Sequence, residues 1–271
     1  MTLNWPVTVA VLSLGLCAAP AAAGTFLDDL QSSSGLTVTV GVEGHASPKF
    51  EGSDRYEFYP VPLFDLRPAG TAPRFHAPRD GIGFTVFQWQ GWDFGPVGAA
   101  EYERHMKSDP MLRLDDTKLA IEVGGFAEHW FTDWLRYRLE LRKGVSGHHG
   151  VVLDQFVDFL KPLSDQWLLS AGPRMRISDS SGNGRFFNIT TDQSLATGLP
   201  VYHADAGIRS VGAGVQLLYR WSPQWEVHTF VEYDRLVSSA GDSPLVTARG
   251  SADQVTIGAG FAYSFDIGGK K

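Results

Sequence analysis

SVGAGVQLLYRWSPQWEVHTFVEYDRL, residues 210–236, alternates strictly, pauses for a short turn and alternates again. Val211, Ala213, Val215, Leu217, Tyr219 and Trp221 hold the odd positions. Ser210, Gly212, Gly214, Gln216 and Arg220 hold the even ones, with Leu218 as the exception. After Ser222-Pro223-Gln224 the odd set resumes with Trp225, Val227, Thr229, Val231 and Tyr233. Opposite it stand Glu226, His228, Glu232 and Asp234, with Phe230 out of step. A period of two puts each set on its own face of a strand. One face is apolar and the other small or charged, which fits either a half-buried soluble sheet or a membrane barrel wetted on the inside.

The chain has 271 residues, room for one large β domain or two small ones. Residues 1–23 carry no charge, and VTVAVLSLGLCAAPAAA (7–23) ends in Ala21-Ala22-Ala23, the small-x-small pattern of a cleavage site. The leading MTLNWP lacks the usual Lys or Arg. We read 1–23 as a signal peptide, against the alternative of a buried N-terminal segment, and 24–271 as one barrel domain. Cys17, the only cysteine, lies inside the leader behind Leu16 rather than a small residue, so it is not read as a lipid anchor. Cleavage leaves 248 residues without cysteine, so no disulfide holds the exported chain.

No later segment has the roughly 18 to 20 apolar residues that a membrane helix needs. A bilayer-spanning form of this chain must therefore be a closed barrel, because hydrocarbon tolerates no unpaired backbone. The net charge of −7 and the lack of a basic stripe with interleaved aromatics argue against nucleic acid.

Alternating runs number about twelve, at 35–44, 56–67, 74–77, 81–89, 92–104, 119–127, 134–145, 150–160, 167–177, 204–221, 225–237 and 254–265. Two prolines interrupt the second run, and RFHA (74–77) is the shortest. Nearly all the rest span about nine to thirteen residues, the length of a tilted membrane strand. Short turns (HWFTDW, KPLSDQW, RWSPQW) carry tryptophan at their edges, and longer polar stretches lie between them at 105–116, 178–203 and 237–252. That asymmetry predicts an all-β, antiparallel up-and-down transmembrane barrel with both termini on the short-turn side.

Trp130, Trp134, Trp167, Trp221 and Trp225 sit beside the short turns and read as a membrane-interface girdle. In WLRYRLELRKG, Leu135, Tyr137, Leu139 and Leu141 alternate with Arg136, Arg138, Glu140 and Arg142. The same inward row recurs as Glu101 and Glu103, Glu122 and Glu128, Asp154 and Asp158, Arg174 and Arg176, then Glu226, Glu232 and Asp234. Rows of opposite sign facing each other across a narrow lumen would pair and plug it. Asp205 and Arg209 share parity with apolar Val211, so a bulge or register change is expected near residue 209.

Little here points to chemistry. Ser146-Gly147-His148-His149-Gly150 offers adjacent histidines for a loop metal or for a general base beside Ser146, with Asp154 as orienting acid. A polar rim turn explains the same residues. Glu101 and Glu103 as a catalytic carboxylate pair compete with simple lumen pairing. Asp179-Ser180-Ser181-Gly182-Asn183-Gly184 reads as an exposed turn, with a calcium loop as the alternative. There is no phosphate loop, GxSxG or HExxH. We assign no catalytic residue, metal ligand or cofactor.

Several stretches taken in order resemble the MltA-interacting protein (MipA/OmpV) family. They are Phe50-Glu51-Gly52-Ser53-Asp54, Tyr59-Pro60-Val61-Pro62-Leu63-Phe64-Asp65, Arg79-Asp80-Gly81-Ile82-Gly83 and Gly147-His148-His149-Gly150. Gly198-Leu199-Pro200-Val201-Tyr202, Ala204-Asp205-Ala206-Gly207, Ser210-Val211-Gly212 and Gly241-Asp242-Ser243-Pro244-Leu245-Val246 continue the series. The resemblance implies an outer-membrane barrel of a Gram-negative bacterium without established catalysis, set in lipid and lipopolysaccharide. It also implies a scaffold for a murein hydrolase and a murein synthase, a role that maps onto no defined residues. The barrel assembly machinery usually reads a terminal aromatic. Here Phe261, Tyr263 and Phe265 alternate correctly but Asp266 to Lys271 follow, so the signal is read internally or insertion is less efficient. Two functions stay open, a scaffold and a narrow solute channel, with a barrel-embedded hydrolase as a third. Full pairing of the inward rows would separate the first two.

Overall fold

The computed structural model of the protein describes residues 35–71, 73–101 and 120–268. The signal peptide, Glu103 and the stretch 105–116 lie outside the described residues. Twelve strands form one antiparallel sheet: β1 (Leu36–Pro48), β2 (Tyr56–Pro68), β3 (Ile82–Gly83), β4 (Phe87–Trp89), β5 (Trp92–Glu101) and β6 (Ala120–Thr132). They continue as β7 (Leu135–Ser146), β8 (Val151–Pro162), β9 (Trp167–Ser178), β10 (Gly207–Arg220), β11 (Trp225–Leu236) and β12 (Asp253–Ile267). Consecutive strands pair from β5 round to β12, and β12 closes on β1 with Leu36 opposite Ile267 and Val42 opposite Phe261. Residues 210–236 become the β10–β11 hairpin, Ser210 opposite Leu236 and Arg220 opposite Glu226. Its odd face exposes Val211, Val215 and Val231, while Gln216, His228 and Glu232 are buried. The expected bulge falls between Ile208 and Ser210, which turns both Arg209 and Ser210 inward.

Closure is incomplete at one place. Among the described residues, β2 pairs only with β1, and β3 and β4 pair only with β5. Both edges run toward the short-turn end, so they face each other as parallel, unpaired neighbours across a seam. The chain between them must return to the opposite end, and it does so inside the barrel. Phe75 meets Trp130 of β6, Asp80 reaches Arg136 of β7, and Arg79 reaches Asp234 of β11. A segment that touches three separate walls lies in the lumen, and we call residues 73–81 the strap.

The expectation of a strand at 74–77 is thus corrected: these residues join no ladder. Pro73 and Pro78 flank them and have no N–H to give, which makes the segment a poor wall strand. The run 81–89 is also divided. Gly83 pairs with Val97 but Phe87 pairs with Phe94, a slip of one residue beside Pro96, which cannot donate.

The long connections fold over the far mouth. The stretch 178–203, read as loop, contains α1 (Ser180–Phe187) and α2 (Thr191–Thr197); the next connection holds α3 (Ser238–Gly241) and α4 (Pro244–Arg249). Asp179 is the N-cap of α1, its carboxylate accepting the Gly182 N–H at 2.7 Å, so the exposed-turn and calcium readings both give way to a helix start. Thr190 and Gln193 form a capping box on α2. Phe50, Ile189, Leu199 and Leu245 pack together, as do Phe186, Phe187, Leu236 and Val246. Gly150 is needed where β8 begins under this cap, since a Cβ there would stand 2.2 Å from the Gly182 nitrogen.

Candidate functional site

The alternation of β7 puts four charged side chains on one inner face, and the neighbouring strands meet them with opposite charge. Arg136 is fully buried; it donates to Asp158 at 2.8 Å, to Glu128 at 2.8 and 3.0 Å and to Asp80 at 2.6 Å. Arg138 reaches Glu140 at 2.7 Å and Glu128 at 3.0 Å, and its guanidinium lies 4.1 Å from the Phe126 ring centroid. Arg142 bonds Glu122 at 2.9 Å as well as Glu140 and Asp154. From β9, Arg176 holds Asp154 at 2.7 Å, and Arg174 holds Asp158 at 2.6 Å and approaches Glu232 at 3.7 Å. Arginine suits this role because its planar fork donates to several carboxylates at once. Burying such charges is costly, and the cost is offset only where nearly every donor finds an acceptor, as here.

The strap completes the network. Arg79 pairs with Asp234, with Glu232 at 3.8 Å and with Asp154 at 4.0 Å. Asp80, fully buried, binds Arg136 and stands 4.0 Å from Arg138, and the Gly81 N–H donates to Glu140 at 3.0 Å. Only glycine fits at 81, because a Cβ would fall 2.4 Å from a Val97 methyl. Arg79 and Asp80 entered the sequence reading only as part of a resembling stretch. Their signal was an adjacent pair of opposite charges between Pro78 and Gly81.

The other half of the lumen is filled too. Glu43 of β1 bonds both His45 and His228. Phe230 lies against Gly258, where a Cβ would stand 2.2 Å from its ring, and packs edge-on against His45 at 5.3 Å. Glu226 pairs with Arg220 at 2.9 Å, both partly exposed, so this is a pair at the short-turn mouth and not part of the buried network. Glu101 ends β5 opposite Ala120; its side chain, like Glu103, is outside the described residues.

Trp130 is a correction. It shares parity with inward Glu128, donates its indole N–H to that carboxylate at 3.1 Å and meets the strap at Phe75, so it faces the lumen and not the girdle. A register shift between Trp130 and Thr132 separates it from the exposed residues that follow. The remaining rings pair along the short-turn end, Trp134 on Phe159 and Trp167 on Tyr219, and Trp221, Trp225, Tyr263 and Phe265 stack in a run. Phe261 lies exposed on the same face of β12.

His148 is not free for catalysis. Its Nδ1 accepts the Gly150 N–H at 3.1 Å, which leaves the proton on Nε2 to donate to Glu122 at 3.0 Å. With both nitrogens committed, this ring cannot activate Ser146, and Asp154 is held by Arg142 and Arg176. Among the described residues no three His, Cys, Asp or Glu side chains converge to hold a metal.

Solved structures similar to this chain include several outer-membrane proteins. The COG4313 outer membrane channel from Pseudomonas putida F1 is 10% identical over 85% of this chain and 96% of its own, with a TM-score of 0.45. The NanC porin is 9% identical over 84% and 98%, with a TM-score of 0.40. The translocator domain of the autotransporter NalP from Neisseria meningitidis is 11% identical over 89% and 92%, with a TM-score of 0.39. A search of curated proteins finds no match. The family model described as MltA-interacting protein MipA matches residues 40–265, from within β1 to within β12. Since that match spans nearly the whole barrel, the chain belongs to the MltA-interacting protein MipA family and is a bacterial outer-membrane β-barrel.

Proposed function

We propose that this barrel is an outer-membrane anchor that holds cell-wall enzymes, a murein hydrolase and a murein synthase, at its short-turn face, and that its lumen does not conduct. The observation that carries the reading is the filled lumen: Arg136, Arg138, Arg142, Arg174 and Arg176 are matched by carboxylates and tied across by the strap. A passage would need unpaired charges and water along its length. The family description, which names interaction with MltA, supports a partner-binding role over transport.

In this reading the charge rows fill the barrel. Trp134, Trp167, Trp221 and Trp225 set its depth at headgroup level, and Phe261, Tyr263 and Phe265 serve the barrel assembly machinery from the outer face of the last strand. The apolar outer face meets lipid and lipopolysaccharide. The short turns face the periplasm and are small, so a partner must touch several together.

Photo-crosslinking in living cells tests this. A photoreactive residue placed at Asp133, Asp165 or Pro223 is expected to capture a murein hydrolase or synthase, and one at exposed Leu195 on the opposite cap is not. Capture of neither enzyme from any turn position would overturn the anchor reading.

A further inference from the structure

The seam between β2 and β3–β4 is an opening in the wall at membrane depth, and its chemistry is not that of an accident. Flanking β1, the Ala69 N–H donates to the Gly35 carbonyl at 2.9 Å and the Lys49 N–H to the Arg55 carbonyl at 2.8 Å. These are odd-numbered pairs of the β1–β2 register. Bonded and unbonded pairs alternate in an antiparallel ladder, so the even residues of β2 aim their backbone groups at the seam. Pro60, Pro62 and Pro68 are among them. An open edge in hydrocarbon is costly because of its unpaired N–H groups, and proline removes them.

The same prolines exclude a strand as the occupant. Edge addition, whether by a second copy or by a partner's peptide, relies on a donor at every second residue. Two successive donors are missing on the β2 lip, and the opposite lip leaves regular strand geometry at residues 84–86, although the Val86 N–H still donates to the Phe94 carbonyl at 2.9 Å. An acyl chain needs no backbone partner. The lips offer it exposed Phe64 and Phe84, while Phe58 leans over Gly44 of β1 and Phe87 packs on Phe94 of β5.

Behind the seam the strap presents an arginine that differs from those of the buried network. The Arg74 side chain is 48% exposed, donating to Thr85 Oγ1 at 2.5 Å and standing 3.5 Å from Asp93, whereas that of Arg136 is 0% exposed. His76 is likewise accessible, 3.9 Å from Asp65, and Arg67 pairs with the same Asp65 at 3.2 Å. We propose that the seam is a lateral binding site for a single-chain amphiphile of the bilayer with an acidic head, its chain lodged between the lips and its carboxylate on Arg74. This stands independently of the anchor reading.

The test uses the full barrel refolded in liposomes, with folding confirmed by a heat-dependent gel shift. A palmitic acid carrying a photoreactive diazirine in its chain labels the protein, its methyl ester serves as the neutral control, and labelled peptides are mapped by mass spectrometry. Labelling by the acid is expected to concentrate on 56–68 and 82–89, and Arg74→Gln is expected to lower it about tenfold while leaving the ester unchanged, as loss of one charge-assisted contact implies. Phe64→Trp, which crowds one lip without touching the lumen, lowers both and keeps the test decisive should the arginine variant misfold. Even labelling around the barrel would overturn the site. Seam labelling equal for acid and ester and indifferent to Arg74→Gln would overturn the acidic head.

Discussion

The wall formed by β7, β8 and β9 and the wall interrupted at β2, β3 and β4 begin from the same alternation and end differently. In the first, no proline falls in the run Leu135 to Ser146, the β8–β9 ladder lapses only between Phe156 and Phe159 opposite Pro173, and inward charges stack into a closed set of pairs. In the second, prolines stand at 60, 62, 73, 78 and 96, the ladder lapses, and the third pass of the chain runs inside the barrel instead of within its wall. Side-chain alternation decides which way residues point; the placing of prolines limits which edges of a strand can be paired. The strap then serves the regular half, because Arg79 and Asp80 supply charges its pairs lack.

The largest expected effect lies in the regular wall. Arg136→Ala leaves Asp80, Glu128 and Asp158 buried without their shared cation, and it is expected to cost about 3–5 kcal/mol, read as a lower urea midpoint in lipid. A loss under 1 kcal/mol would mean that this half is wetter than its burial suggests. At the seam, the double change Pro60→Val and Pro62→Val returns two N–H groups to an edge without partners. It is expected to destabilise by about 1–3 kcal/mol per donor, although valine is the better strand former. A gain in stability would show that the seam closes. Smallest of all is Arg235→Ala: the pair with Asp253 at 2.7 Å has both side chains more than half exposed, and its removal should leave the urea midpoint nearly unchanged.

Much of this was legible in the sequence. From Trp92 onward the alternating runs fall on β5 to β12 with ends differing by a few residues, since period two needs only nearest neighbours to be read. The pairing of the inward rows follows from the same parity. Trp130 could have been placed by parity with Glu128; its position beside a turn pointed the other way, and the register shift near Thr132 hides the change of face. The strap was not legible. RFHA alternates like a strand, and what removes it from the wall is two flanking prolines together with partners at Arg136 and Asp234, far away in sequence. The α1 helix was masked by its glycines, and only the cap at Asp179 and the burial of Phe186 and Phe187 reveal it.

The central claim is that the strap and its ion pairs close the lumen. Single-channel recording in a planar bilayer tests it most directly, comparing the wild-type chain with Gly81→Val, whose side chain would collide with Val97 and lift the strap from Glu140. The wild type is expected to stay silent while the variant, folded by gel shift, shows steady conductance steps. Steady steps from the wild type would contradict the closed lumen and make solute passage the better reading.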